Sequence, residues 1–227
     1  MSRSEWGADT SLPRLRYLVP KGRRTHVIQH HTVGVDNDAT PNIWETEAEV
    51  RQKMRRLQTI RPDLGLDVPY NYVLFGMQGG DLYVCEGRGE DWTGAHTRGH
   101  NTEGIGCAWA GNMEDFLFAR RYIRPASRFF GWLKNERGMT NLGTVHPPGR
   151  ETFGHRDFAQ TACPGHYLYK EIGDFTFYEE EDDMADTELR AWLTVSALFK
   201  RAASYADQGK RLPQDLADQL KVLLAGY

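Results

Sequence analysis

Apolar positions along the first three quarters of the chain alternate between a two-residue and a three-to-four-residue period, which predicts strands interleaved with helices. Val27-Ile28 opens a strand that runs into His30. Thr40-Pro41 then offers an N-cap and a first-turn proline, and Val50, Met54 and Leu57 give the helix behind them one apolar face. Tyr70 to Phe75 reads as a strand, Gln78-Gly79-Gly80-Asp81 as a turn, and Leu82 to Cys85 as the returning arm of a hairpin. Gly104 to Ala110 is a further strand. Pro125 would break a helix interior, so the next helix is set to start there, with Ala126, Phe129, Phe130 and Leu133 facing inward and Gly138 as its stop. Val145 to Phe153 leads into a polar segment, and a short helix follows around residues 166–172. Residues 1–175 are therefore expected to form one α/β domain.

Beyond that point the pattern changes. Glu179-Glu180-Glu181-Asp182-Asp183 makes residues 176–183 an acidic linker. Leu189, Trp192, Leu193 and Phe199 mark one amphipathic helix, and Leu216, Leu220, Leu223 and Leu224 a second, with the turn between them at Gly209–Pro213. Residues 184–227 thus read as a helical hairpin. Two helices alone cannot bury their apolar faces, so the hairpin packs on the first domain or serves an interaction such as self-association or wall binding.

Composition narrows the function. A net charge of -3 argues against a nucleic-acid binder held by phosphate neutralisation. No apolar run approaches the roughly 20 residues that span a bilayer, so no membrane partner is expected. The first residues, Met1-Ser2-Arg3-Ser4-Glu5-Trp6, lack the apolar core of a secretory signal, which leads to the expectation of synthesis in the cytoplasm. Three cysteines cannot all pair. Cys85 and Cys107 sit in apolar strand-like stretches and read as buried thiols, whereas Cys163 lies in a polar turn ahead of Pro164-Gly165, where packing gives no reason for a thiol.

Two segments carry candidate chemistry: Gln29-His30-His31-Thr32 and Gly154-His155-Arg156-Asp157 with Thr161-Ala162-Cys163 behind it. Adjacent strand residues point to opposite faces, so only one of His30 and His31 can join His155 and Cys163 on an ion. His, His and Cys with a fourth position for water is the composition of a catalytic zinc site. The bland alternative is two unrelated histidines and a free thiol.

A series of motifs then falls into a recognisable order: Ser4-Glu5-Trp6-Gly7-Ala8, His30-His31-Thr32, Tyr70-Asn71-Tyr72, Glu86-Gly87-Arg88-Gly89, Gly94-Ala95-His96-Thr97, Gly104-Ile105-Gly106, Gly111-Asn112, and the segment from Gly154 to Gly165. In that order they resemble the type 2 N-acetylmuramoyl-L-alanine amidases, which include peptidoglycan recognition proteins and bacteriophage endolysins. The resemblance spans residues 3 to about 172. It implies a mixed central β-sheet flanked by helices, with zinc at the floor of a groove, held by His30, His155 and Cys163. It implies that Tyr70 is the catalytic tyrosine and that Thr161 stands where active members carry Lys or Thr. Peptidoglycan would be the partner, cut at the amide between N-acetylmuramic acid and L-alanine. His96, Arg88, Trp92 and Asn101 would be substrate contacts in or near the groove, while Tyr72 is assigned to the core on the face it shares with Tyr70. Arg156 and Asp157 would pair and position His155. The proton shuttle stays open between Tyr70, a zinc-activated water and an acidic residue the pattern does not place. Animal members carry a disulfide just after the first histidine segment, and this chain has no cysteine before Cys85. That departure, with the N-terminus, points to a phage endolysin acting on the wall after release; a cytosolic muropeptide-recycling amidase and a non-catalytic muropeptide-binding module are the rival readings.

Overall fold

A computed structural model describes residues 1–12, 16–33, 42–139 and 150–178, with Leu212, Pro213, Gln214, Ala217 and Lys221 near the C-terminus. The chain divides into two compact units, Met1–Glu179 and Glu180–Tyr227. Residues 179–183 of the expected acidic linker, both C-terminal helices apart from helical positions at Gln214, Ala217 and Lys221, and the Thr40-Pro41 helix start fall outside the described residues. Thr176, Phe177 and Tyr178, expected in the linker, belong to the first unit because Phe177 is buried in its core. Among the described residues no helix is long and apolar enough to cross a membrane.

The first unit is built on a five-stranded sheet. Its strands are β1 (His26–His31), β2 (Tyr72–Gly76), β3 (Leu82–Glu86), β4 (Gly104–Trp109) and β5 (Thr152–Gly154). They lie in the order β3-β2-β4-β1-β5. β1 runs parallel to β4 and β5, β2 parallel to β4, and only the β2–β3 hairpin is antiparallel. Helices α1 (Arg3–Trp6), α2 (Glu47–Thr59), α3 (Ile123–Arg137) and α4 (His166–Glu171) complete the mixed α/β layers expected from the sequence. Central strands buried on both faces read as continuous apolar runs, and β1, β2 and β4 are buried at every position.

Two cores sit on the two faces. Val27, Leu74, Ile105 and Trp109 pack against Phe130 and Leu133 of α3 and Leu168 of α4. Val73, Phe75 and Cys85 pack against Trp6 and against Val50, Met54 and Leu57 of α2. The register places His30 beside Ala108, and Ala108 beside Val73, so His30 lies on the α2 side. His31 pairs with Trp109 and faces the α3 side.

Local boundaries differ from the sequence reading for identifiable reasons. Asn42–Thr46 are not helical; α2 begins at Glu47 because Thr46 and Glu49 form a capping box, the Thr46 hydroxyl accepting from Glu49 N–H and the Glu49 carboxylate from Thr46 N–H. α3 begins at Ile123, two residues before Pro125, since a proline in the first turn forfeits only an N–H that has no intrahelical acceptor. It ends at Gly138, in the left-handed conformation. Phe129 is only partly buried, packed at the edge of the α3 core. β2 begins at Tyr72 rather than Tyr70. Asn71 diverts the chain before it: its N–H donates to Gly106 O, while its amide donates to Gly89 O and Trp92 O and accepts from Gly106 N–H. Tyr70 and Tyr72 therefore serve opposite faces, Tyr70 against the α2 core and Tyr72 within the α3 core.

Candidate metal centre and groove

At the C-terminal end of β1, His30 meets the segment that follows β5. A 3-10 turn at His155–Asp157 turns His155 toward His30, with ring centroids 4.6 Å apart. Cys163 Sγ lies 3.5 Å from His30 Nδ1. Ligand atoms of His30, His155 and Cys163 all lie within 4.8 Å of one another, the only group of three such donors among the described residues. Two imidazoles and a thiol are the donor set that suits Zn²⁺. The second histidine of the pair is used differently: His31 Nδ1 accepts from Met113 N–H at 3.2 Å.

Burial sets the protonation states of the three donors. His30 is pushed well below the usual imidazole range by burial and then by His96 and His155, and His155 is lowered by burial. Both are neutral at pH 7 and ready to ligate. Burial pushes the Cys163 thiol up to about 12, so a cation must displace its proton.

Asp157 anchors the turn beneath His155. Its carboxylate accepts from Gly154 N–H at 2.8 Å and from the Tyr169 hydroxyl, and it lies 3.6 Å from Arg150. Arg156 reaches the Ala162 carbonyl and Glu114. The expected Arg156–Asp157 pair is therefore replaced by two separate anchors, because the turn sends the neighbouring side chains in different directions.

A groove of about 330 Å³ opens above the cluster, lined by residues that include Leu57, Ile60 and Arg61 from the end of α2, Tyr70, His96, Thr161 and the three donors. The Tyr70 hydroxyl lies 3.5 Å from His31 O, and its ring is 5.2 Å from that of His30. Burial, and next the nearby Cys163, raise the Tyr70 phenol, so it is a proton donor at neutral pH. Thr161 Oγ1 accepts from Cys163 N–H at 3.2 Å, which leaves the hydroxyl proton to give.

Of the two residues expected to line the groove, Arg88 is placed elsewhere, while Trp92 and Asn101 lie in the connection between β3 and β4. Arg88 is 1 % exposed, and its guanidinium donates to the carbonyls of Val68, Leu64 and Thr93. It braces the loops instead of lining the groove, because those inward-facing carbonyls need a buried donor. Trp92 does not line the groove either; it lies under Arg16, 4.0 Å from the guanidinium, and bridges to Leu18. Asn101 turns its Oδ1 inward to accept from His96 N–H and Thr97 N–H at 2.8 and 3.0 Å. Only His96 lines the groove, and its Nδ1 is 3.1 Å from His30 Nε2.

Sequence reasoning missed Arg24. Fully buried, it donates to the carbonyls of Glu90, Trp92, Asn101, Thr102 and Gly104, clasping both ends of the loop that carries His96. Burial, followed by Arg137, lowers it to about 10, still charged at pH 7. A charged residue just before an apolar strand looks like ordinary surface in a sequence, so nothing there announced it.

This sheet, with a His, His and Cys cluster at the end of its first strand, belongs to a defined class. A family model described as N-acetylmuramoyl-L-alanine amidase (Amidase_2) matches residues 20–166, and the chain belongs to that family. It is 30% identical over 179 residues to peptidoglycan-recognition protein SC2 of Drosophila melanogaster, covering 76% of this chain and 83% of that one. It is 32% identical over 168 residues to the N-acetylmuramoyl-L-alanine amidase of Homo sapiens, covering 74% of this chain but 26% of the human protein. Among solved structures, wild-type Drosophila PGRP-LB superposes with a TM-score of 0.59 at 23% identity, over 81% of this chain and 98% of that chain. Human PGRP-IβC in complex with glycosamyl muramyl pentapeptide gives 0.59 at 21%, over 79% and 98%. These two likenesses speak for the fold.

Proposed function

We propose that this chain is a zinc-dependent amidase that hydrolyses the bond between N-acetylmuramic acid and L-alanine in peptidoglycan. One observation carries the reading: His30, His155 and Cys163, far apart in sequence, bring their donor atoms within 4.8 Å of one another on the floor of a groove. Family membership supports the amide substrate, and the human PGRP structure solved with a muramyl pentapeptide supports a muropeptide as the ligand. Zn²⁺ held by these residues would supply Lewis acidity, polarising a carbonyl and making water nucleophilic at neutral pH.

The chain's own groups account for the rest. Tyr70, kept protonated by its enclosure, donates to the oxygen on which negative charge develops, and the Thr161 hydroxyl is a second donor on the same side. Leu57 and Ile60 give the groove an apolar wall that keeps water from competing for these donors. Water adds to the carbonyl carbon, the carbon–nitrogen bond breaks, and the products are the lactyl carboxylate and a free L-alanine amine. No carboxylate is among the described groove-lining residues.

Purified peptidoglycan should lose turbidity with the protein and stop doing so with chelator, and mass analysis should find stem peptides with a free L-alanine amino terminus. Intact substrate in the presence of stoichiometric zinc would instead favour a muropeptide-binding module. The setting proposed is a phage endolysin. Cleavage of intact sacculi supports it, whereas cleavage of soluble muropeptides alone would make the protein a recycling amidase.

A further inference from the structure

We propose that His96 is a positioning residue for the metal centre: its Nδ1 accepts a hydrogen bond from His30 Nε2–H, so that His30 keeps Nδ1 bare for the ion. The inference rests on the zinc reading above.

The two nitrogens of His30 face different neighbours. Nδ1 points toward Cys163 Sγ at 3.5 Å, and Nε2 toward His96 Nδ1 at 3.1 Å. A neutral imidazole that ligates through one nitrogen carries its proton on the other, and a buried N–H needs an acceptor. His96 supplies it. Thr97 Oγ1 is a weaker candidate, 3.5 Å from His30 Nε2, and lies 3.0 Å from His96 Nδ1. The imidazole rings of His30 and His96 have centroids 4.9 Å apart and planes at 72°.

The surrounding structure is shaped to hold that ring. A Cβ at Gly94 would come within 2.2 Å of His96 Cδ2, and one at Gly106 within 2.3 Å. The two glycines form a slot with no room for any other residue. On β4, Gly104, Gly106 and Ala108 lie opposite His26, Ile28 and His30, so small residues clear the space that His96 fills. The backbone is pinned as well: His96 N–H and Thr97 N–H both donate to Asn101 Oδ1, and Arg24 clasps the loop at both ends. A residue that served substrate alone would turn its polar edge to the groove. His96 is only 9% exposed and turns Nδ1 to His30.

The test is a competitive titration of Zn²⁺ into wild type, His96→Leu, His96→Ala and His96→Asn, with Co²⁺ absorption spectra of each. Leu fills the slot without an acceptor, while Asn keeps an acceptor near the place of Nδ1. Losing an outer partner of a ligating histidine typically costs about 10–100-fold in metal affinity. That loss is expected for Leu and Ala, with shifted cobalt d–d bands, and Asn should recover most of the affinity and the wild-type spectrum. His96→Leu with wild-type affinity and spectrum would overturn the proposal. So would Asn as weak as Leu, since only packing would then have been lost. If Ala does not fold, the Leu and Asn pair carries the same comparison. Failure of the wild type to bind Zn²⁺ at all would sink the zinc reading itself, and that outcome is read from a separate arm.

Discussion

Metal loading of this site should release a proton from Cys163, and pH measures that directly. His30 and His155 are already neutral at pH 7, so ligation through their nitrogens releases nothing. The Cys163 thiol stands at about 12, roughly five units above neutral pH. Displacing its proton at pH 7 costs on the order of 7 kcal/mol at 1.36 kcal/mol per unit. Structural zinc sites bind with roughly 10–16 kcal/mol at that pH, so the site still loads, but the cost is visible. Each unit of pH lowers it by about 1.4 kcal/mol, a tenfold gain in apparent affinity. Proton release from zinc-bound water can add to the slope, and a variant removes that ambiguity. In Cys163→Asp the third donor is already ionised near neutrality, so its dependence should be shallower than wild type by one proton. Competition with a chromophoric chelator between pH 6.5 and 8.5, corrected for the chelator's own protonation, gives both slopes. Equal slopes would refute the reasoning, because Cys163 would then not bind as a thiolate formed at the expense of a proton.

Tyr70→Phe removes one donor and leaves the three metal donors in place, so kcat should fall about 10²–10³-fold with zinc affinity unchanged; a parallel loss of affinity would mean that Tyr70 supports the cluster. His26, stacked on Phe158 and lowered by burial to about 4 from 6.5, makes the fold sensitive to acid. Its folded value is depressed, so its full stability is present above pH 6.5 and is lost between pH 6.5 and 4, by up to about 3 kcal/mol. Urea unfolding of the metal-free protein across that range should show the loss, and His26→Gln should remove its share while the other depressed histidines, His31 among them, keep theirs. Arg24→Met removes the donor shared by five carbonyls, of which Trp92 O keeps the Asn71 amide and Asn101 O keeps Gly94 N–H. It should cost about 3–5 kcal/mol, read as a lower urea midpoint, with most of the damage in the loop that carries His96.

How much of this was legible depended on whether a residue's role lay in its own chemistry or in its surroundings. The sheet was readable because β2 and β4 are continuous apolar runs and Val27-Ile28 opens β1, and α3 because its inward positions repeat at helical spacing before a glycine stop. Cys163 stood out as a thiol in a polar turn, whereas the choice of His30 over His31, adjacent in one strand, came from the family resemblance and not from the residues themselves. Substrate contacts fared worse. Arg88 and Asn101 carry the same groups whether they face a ligand or a loop, and here the buried carbonyls and amides of the fold use them first. The Thr40-Pro41 start lies outside the described residues, but residues 42–46 are not helical, and the capping box of Thr46 and Glu49, which the sequence reading passed over, sets the start of α2. Arg24 and the Gly94–Gly106 slot had no local signature, since each acts on residues distant in sequence.

One prediction ties the two donor segments together through the opposite side of β1. Met113 N–H donates to His31 Nδ1 at 3.2 Å, and Met113 O accepts from Tyr167 N–H at 2.9 Å. A single residue therefore joins the strand that carries His30 to the helix start just after Cys163. Gly165 makes the approach close enough: its φ is +91°, and a Cβ there would come within 2.3 Å of the Met113 carbonyl carbon and 2.5 Å of Glu114 N. Those are backbone atoms and cannot rotate away, and the backbone angle is itself costly for any other residue. Gly165→Ala should thus push the Cys163 segment away from β1, weakening Zn²⁺ by more than about tenfold, if a ligand displaced by some 1 Å forfeits what outer support usually gives. Gly173→Ala, where a Cβ would meet nothing within 4 Å, is the control and should bind as wild type. If Gly165→Ala folds and binds Zn²⁺ as tightly as the control, the link through Met113 does not hold the donors in register, and the cluster is fixed by β5 and the turn at Asp157 alone.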